Sequence, residues 1–372
     1  MNYTSSLEEK LHDMAYSYED LDDKETYEDK ILRFLSNNDN AFRSFGEGLE
    51  TLIRNKMPED AIHIIVNPTS RTGKTKEIWE SIEKELKAKG TAYVLHETKR
   101  RGHATEFAKE ISDSAAREGR DKTIFLIGGD GTANEVINGI TDFSHVRFGY
   151  VPTGSGNDLG RGLGIKREPK EQMLHILNSS KELLMDLGEV VLSDGTNRKF
   201  AISAGIGLDA YVCKQALTSK LKNVLNAVGL GSATYGILTV YDLFSMKVSD
   251  GILTYGRGDR HKDIKEKNMI FTAAMNHPWE GGGVPMCPKA SATDGLLSVI
   301  SVSDVPRLKC FLSFPKLITG KHEKEKGFKL FKSDVTTIRL KEPMVIHADG
   351  EYVGTEREVT FKCLPGMLRV IV

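Results

Sequence analysis

Two acids set inside glycine-rich turns are the residues of this chain best suited to chemistry. The first lies in Gly128-Gly129-Asp130-Gly131-Thr132-Ala133-Asn134-Glu135, directly after the apolar run TIFLI. Glycines let a backbone turn sharply and bring unpaired N–H groups against phosphate oxygens. A helix expected to start near Ala133 adds its positive end. Asp130 then stands at the carboxyl end of a strand, where open α/β sheets bind ligands. A carboxylate there can hold Mg2+ directly or through water, and Glu135 is a second acid in the same segment. The second turn, PTGSGNDLGRGLG from Pro152 to Gly164, supplies the Ser155 hydroxyl, the Asn157 amide and the Asp158 carboxylate. Two such loops on adjacent strand ends can enclose one polyphosphate, and Asp130 with Asp158 can share a divalent cation.

Three further segments carry candidate groups. Asn67 to Lys74 (NPTSRTGK) runs into Gly73-Lys74-Thr75 like the end of a P-loop, but Pro68 stands where the first glycine belongs, so it is not one. The alternative is a short polar turn offering Asn67, Ser70 and Lys74. Asp294 occupies a tight turn in PKASATDGLL. Asp349 and Glu351 in HADGEYVG are two apart, hence on one side if that segment is extended. A carboxylate there suits a general base; the residues alone equally allow a plain surface turn.

The elements that must position these groups follow from the apolar pattern. AIHIIV, TAYVLHE, TIFLIGG and VRFGYVP read as strands, alternating with helices over Lys76–Lys89, Ala104–Glu118 and Ala133–Ile140. This predicts a doubly wound parallel α/β sheet. From about Leu187 short β-rich segments with turns between them predict an antiparallel β-sandwich, interrupted by a helical insertion over about Ser219–Phe244. We therefore expect an acidic helical extension over 1–60, an α/β nucleotide-binding domain over 61–183 and a β-sandwich domain over 184–372, with a cleft between the last two.

Composition narrows the class without choosing a function. The 372 residues suffice for two packed domains. No run of 18 apolar residues predicts a membrane span, and MNYTSSLEEKLHDM lacks the apolar core of a secretory signal. Four dispersed cysteines form no CxxC pair, which fits a reducing cytoplasm. The first 60 residues hold 15 Asp/Glu against 7 Lys/Arg, leaving 44 Lys/Arg against 37 Asp/Glu in the rest. That mildly basic body suits phosphates and an anionic lipid surface, and no nucleic-acid partner is expected.

Together these residues resemble the catalytic region shared by diacylglycerol kinases, sphingosine kinases and bacterial lipid kinases, from about Ala61 to the C-terminus. The resemblance is nearest to the compact bacterial type. It implies ATP and Mg2+ as cofactors and a membrane lipid as acceptor. Asn67, Ser70 and Thr98 match nucleotide-contacting positions, and Gly129 to Glu135 match the diphosphate loop. Asp130 and Asp158 resemble the pair that organises Mg2+ through water. Asp294, with the carbonyls of Ser291 and Leu296, resembles a structural Mg2+ site. Asp349 and Glu351 match the Asp-Gly-Glu acids, with Glu351 as proton acceptor. Arg71 departs from a usual glycine, and Gly-Ser-Gly-Asn-Asp replaces the commoner Gly-Thr-x-Asn-Asp.

The implied reaction is in-line transfer of a γ-phosphoryl group to a lipid hydroxyl at a bilayer, with peripheral membrane contact and, for the bacterial type, a homodimer. The insertion LNAVGLGSATYGILTVYDLF, flanked by Lys220, Lys222 and Lys247, is one candidate contact; a helical pair packed on the sandwich is the other reading. NAD kinases also carry Gly-Gly-Asp-Gly-Thr, but the second loop and Asp-Gly-Glu favour the lipid branch. A non-catalytic nucleotide or lipid sensor is disfavoured by the intact acids.

Overall fold

The computed structural model describes residues 61–218 and 234–372. The expected extension over 1–60, and Lys220 and Lys222 of the insertion, lie outside the described residues. Strands β1 (Ile62–Val66), β2 (Tyr93–Glu97), β3 (Lys122–Gly128) and β4 (Val146–Pro152) are parallel, in the order β4-β3-β1-β2. Their near-continuous apolar runs follow from burial on both faces. Successive residues point to opposite sides. Ile64 and Val66 pack with Trp79, Ile82 and Leu86 of α1 (Lys74–Ala88). Ile65 packs with Ala104, Ala108 and Ile111 of α2 (His103–Glu118) and with Val136 and Ile137 of α3 (Asp130–Gly139). The short α4 (Asp158–Gly162) follows β4, and α5 (Pro169–Asn178) joins α1 through Met173 and Ile176. From β1 the chain reaches β2 on one side, whereas β3 lies on the other. The crevice between β1 and β3 is therefore a topological switch point, where such sheets take ligands.

The remainder is antiparallel, as the short β-rich segments predict. It contains β5 (Glu182–Leu192), β6 (Asn197–Phe200), β7 (Ser203–Gly207), β8 (Ser249–Arg257), β9 (Arg260–Met269), β10 (Phe271–Met275), β11 (Leu297–Val302), β12 (Phe328–Ser333), β13 (Val335–Ala348) and β14 (Glu351–Ile371). The helices α6 (Leu208–Thr218), α7 (Thr234–Ser245), α8 (Arg307–Leu312) and α9 (Phe314–Ile318) accompany them. Ile206, Ala273, Val299, Ile346 and Phe361 belong to the core of this part. The 21-residue β14 pairs antiparallel with β13 and β5. At its far end it turns parallel to β4, with Arg369 opposite Arg147 and Val370 opposite Phe148. One hydrogen-bonded sheet consequently runs through both parts of the molecule.

One expectation needs adjustment. The helix after the first glycine turn starts at Asp130 itself, three residues before Ala133, so the acid is its first residue rather than part of the preceding turn. Of the insertion, α7 is described as a helix and α6 precedes it. All four cysteines are free thiols.

Candidate active site

The polar turns singled out in the sequence end the four parallel strands side by side. Asn67, just after β1, donates from its amide to Thr132 Oγ1 at 2.9 Å, bridging the switch point. Ser70 folds back so that its N–H reaches the Asn67 carbonyl at 3.2 Å. Thr98, after β2, is buried and donates its N–H to the Val66 carbonyl at 2.9 Å. Gly128 accepts from the Thr153 N–H at 2.8 Å, which joins the first glycine loop to the second. There the two backbones nearly touch: a Cβ on Gly154 would lie 2.7 Å from the Gly129 Cα. No side chain fits that gap, so glycine at this pair is a steric requirement. Asn157, in left-handed backbone at φ 53°, braces the loop, accepting from the Gly154 N–H at 2.8 Å and donating to its carbonyl at 3.1 Å. Ser155 remains exposed. Glu135 accepts the Gly102 N–H at 2.9 Å and anchors the start of α2.

Asp130 and Asp158 meet beneath these loops. Asp130 accepts the N–H groups of Asp158 at 3.0 Å and Leu159 at 3.2 Å. Asp158 accepts the Gly282 N–H at 2.7 Å and pairs with Arg161. Burial pushes the Asp130 carboxyl up to about 6; the two N–H bonds oppose the shift, while the charges of Asp158 and Asp349 add to it. Two carboxylates, one of them ion-paired to Arg161, could together hold a hard divalent cation such as Mg2+, through oxygen or water. A raised carboxyl pKa leaves stability intact below the unfolded value of 3.8 and erodes it as pH rises through about 6. Asp130→Asn removes that titration. The melting temperature of the variant minus that of the wild type, measured in metal-free buffer, should climb between about pH 4 and pH 7. A flat difference would show that Asp130 ionises there without cost.

Asp349 and Glu351 part company in the structure. Of the two readings of this segment, extended with both acids on one side or a plain turn, the structure has the turn: Asp349 (φ 47°) and Gly350 (φ 81°) form a two-residue hairpin turn between β13 and β14. Asp-Gly favours the left-handed conformations that such a turn needs. Asp349 is directed inward and accepts from Ala201 N (2.8 Å), Ile202 N (2.8 Å), Ser203 N (3.1 Å) and Asn134 Nδ2 (2.8 Å). Burial raises its pKa despite these four bonds. Glu351 begins β14 on the open side. A Cβ on Gly131 would lie 3.8 Å from its Oε1, so this carboxylate faces the first glycine loop.

Several participants escaped the sequence reading. Arg101, 69% exposed, pairs with Glu351, which is 19% exposed. Gly281, Gly282 and Gly283 all take positive φ and lay a loop against Asp158 and Arg161; the triple glycine was the available signal. The same loop presents Glu280 to His347, with Oε1 and Nε2 3.4 Å apart, and Asp209 approaches that nitrogen at 3.1 Å. Burial works against the His347 cation, but the two carboxylates outweigh it and raise its pKa to about 9. A positive charge is thereby held two residues from Asp349. No local spacing links positions 209, 280 and 347.

Asp294 lies apart from this group. Its Oδ1 accepts the Leu296 N–H at 3.2 Å, and its Oδ2 pairs with Lys332. Ser291 contacts Thr293, Oγ to Oγ1, at 3.2 Å. One carboxylate already neutralised by an ammonium is a weak cation donor set; a metal here must displace Lys332.

A mixed sheet with a glycine-loop switch point facing an antiparallel part defines a phosphate-handling class of enzyme, and comparison with known proteins specifies it. Residues 61–190 match the diacylglycerol kinase catalytic domain, and residues 202–372 match the YegS C-terminal NAD kinase beta sandwich-like domain. The chain is 31% identical over 293 residues to "Putative lipid kinase YtlR" of Bacillus subtilis (strain 168), covering 78% of this chain and 93% of that one. It is 26% identical over 292 residues to the Diacylglycerol kinase of the same organism, covering 78% and 89%. A crystal structure of a diacylglycerol kinase from Bacillus anthracis strain Sterne shares the fold, with TM-score 0.57, 18% identity and coverage of 84% and 96%. The chain belongs to the diacylglycerol kinase catalytic-domain family and is a diacylglycerol kinase-like lipid kinase.

Proposed function

We propose that this enzyme transfers the γ-phosphoryl group of Mg·ATP to the hydroxyl of a membrane lipid, with diacylglycerol as acceptor and phosphatidic acid as product. The observation that carries the proposal is the approach of Glu351, from the antiparallel part, to Gly131 in the first turn of α3, directly after the glycine loop of the parallel part. A base and a phosphate cradle converge there from the two sides. Relatives named diacylglycerol kinase support the choice of acceptor.

In this mechanism Asn67, Ser70, Thr98 and the N–H groups of Gly128 to Thr132 hold the nucleotide. Asn134 and Glu135 keep that loop in place through Asp349 and Gly102. Ser155 offers its hydroxyl from the second loop, which Asn157 braces. When bound, Mg2+ offsets the triphosphate charge, and Asp130 and Asp158 are the groups that hold it. Glu351 takes the proton of the attacking hydroxyl as its oxygen bonds to the γ-phosphorus, and the bond to the β,γ-bridging oxygen breaks to release ADP. Asp349 positions the turn. Residues 61–183 serve the nucleotide and 184–372 the lipid. Asp294, with the Ser291 and Leu296 carbonyls, would hold a second, structural Mg2+ only if Lys332 were displaced from it. The acceptor enters from a bilayer to which the protein binds peripherally, from the cytoplasmic side and, we propose, as a homodimer.

The test is transfer of labelled γ-phosphate from ATP to a lipid panel in mixed micelles with Mg2+, beside reactions that hold NAD and no lipid. Labelled phosphatidic acid supports the proposal. Label on another lipid moves the acceptor, and label on NAD, or on nothing, overturns it.

A further inference from the structure

Five of the nine large apolar side chains that stand exposed among the described residues lie on three neighbouring helices. Leu308, Leu312 and Ile318, of α8 and α9, are each more than 60% exposed, and Tyr241 and Phe244 of α7 join them. The helices are fastened into one surface. Arg307 of α8 donates to the carbonyls of Phe244 and Met246, both at 2.5 Å, at the end of α7. Phe311 lies tilted against Phe244 (ring centroids 6.3 Å apart) and edge-on to Phe314 of α9 (5.7 Å). Leu308 and Leu312 are one helical turn apart and share a face, while Cys310 and Ser313 face the interior. An ordinary surface helix would bury its leucines and expose its serine. Here that order is reversed.

Charge around the patch is predominantly positive, although Glu325 pairs with Lys316 at 2.6 Å. Residues 305–321 contain four Lys/Arg and no Asp/Glu. Lys309, Lys316 and Lys321 are exposed beside the apolar groups, as is Lys247 after α7, whereas the one acid of α7, Asp242, is buried. Exposed aliphatic groups rimmed by lysines, with an interfacial tyrosine, match the chemistry of an anionic bilayer: acyl chains take the leucines and headgroup phosphates take the ammonium groups.

We infer that the face formed by α7, α8 and α9 docks the enzyme on anionic membrane surfaces. This rests on the lipid-kinase reading above and names the part of the molecule that meets the bilayer. Membrane engagement then belongs to helices packed on the antiparallel part.

The test uses the full chain and sedimentation with vesicles of phosphatidylcholine, alone or mixed with phosphatidylglycerol. Wild type should pellet with the mixed vesicles and far less with phosphatidylcholine alone. The double variant Leu308→Glu/Leu312→Glu should lose at least about tenfold in partitioning, as charges placed at an apolar contact would. Leu184→Glu, at another exposed leucine, should bind like wild type. Transfer to a water-soluble short-chain diacylglycerol without vesicles separates the two ideas. The double variant should keep wild-type activity there; activity absent from every protein while vesicle binding behaves as described sinks the acceptor assignment and leaves the docking face standing. Unchanged vesicle binding by the double variant, or no binding by wild type, overturns the docking face. So does a variant that turns a dimer into a monomer in sedimentation velocity without weakening vesicle binding, since the face would then join two copies of this chain.

Discussion

Replacing Glu351 by Gln is expected to cripple phosphoryl transfer while leaving the fold and ATP binding in place. Glutamine preserves size and hydrogen bonding but cannot take up a proton, so the loss should fall on kcat by about 10²–10⁴-fold, with KM for ATP little changed. Little stability is at stake. The partner of Glu351 is the exposed Arg101, and such pairs contribute about 0–1 kcal/mol. Steady-state kinetics on short-chain diacylglycerol, with a thermal melt of the same sample, gives both numbers. Retention of more than a tenth of wild-type kcat would remove Glu351 from the role of base.

Asp349→Ala behaves in the opposite way, losing stability first. Four donors point at this carboxylate, from Ala201, Ile202, Ser203 and Asn134. Without it they are left without their acceptor in a buried place, a defect of about 3–5 kcal/mol in sum. Alanine is also poorly suited to φ 47°, whereas asparagine tolerates it. Urea unfolding should therefore show a midpoint far below wild type for Asp349→Ala and an intermediate one for Asp349→Asn. If the midpoint stayed at the wild-type value while kcat collapsed, Asp349 would be the proton acceptor and Glu351 its support.

The parallel half was legible because its signals are local. Apolar runs ending in glycine loops mark doubly covered strands, and both glycine loops and the Asn67 turn lie at the strand ends. What escaped depends on pairing between distant positions. His347 reads as one polar residue in a strand, and only folding brings Asp209 and Glu280 to its ring. Arg101 meets Glu351 across 250 positions. The Asp349 turn is a different case, for its signal is local and a turn was one of the two readings. Asp-Gly between two β-rich runs is a hairpin signature, and choosing the turn over the extended reading separates the two acids. The helix start at Asp130 was missed because two glycines in the first three residues of the motif argue locally for a turn.

The long β14 has a further consequence for how the molecule is made. Its last residues cover the outer edge of β4, so the parallel sheet is incomplete until the end of that strand has been synthesised. A ribosome produces β4 on the order of ten seconds or more before it reaches Arg369. Throughout that interval an apolar strand edge stands open, able to pair with the same edge of a neighbouring nascent chain. Chaperone capacity, translation speed and culture temperature should therefore govern how much of this enzyme is recovered, through the waiting time of one strand for another.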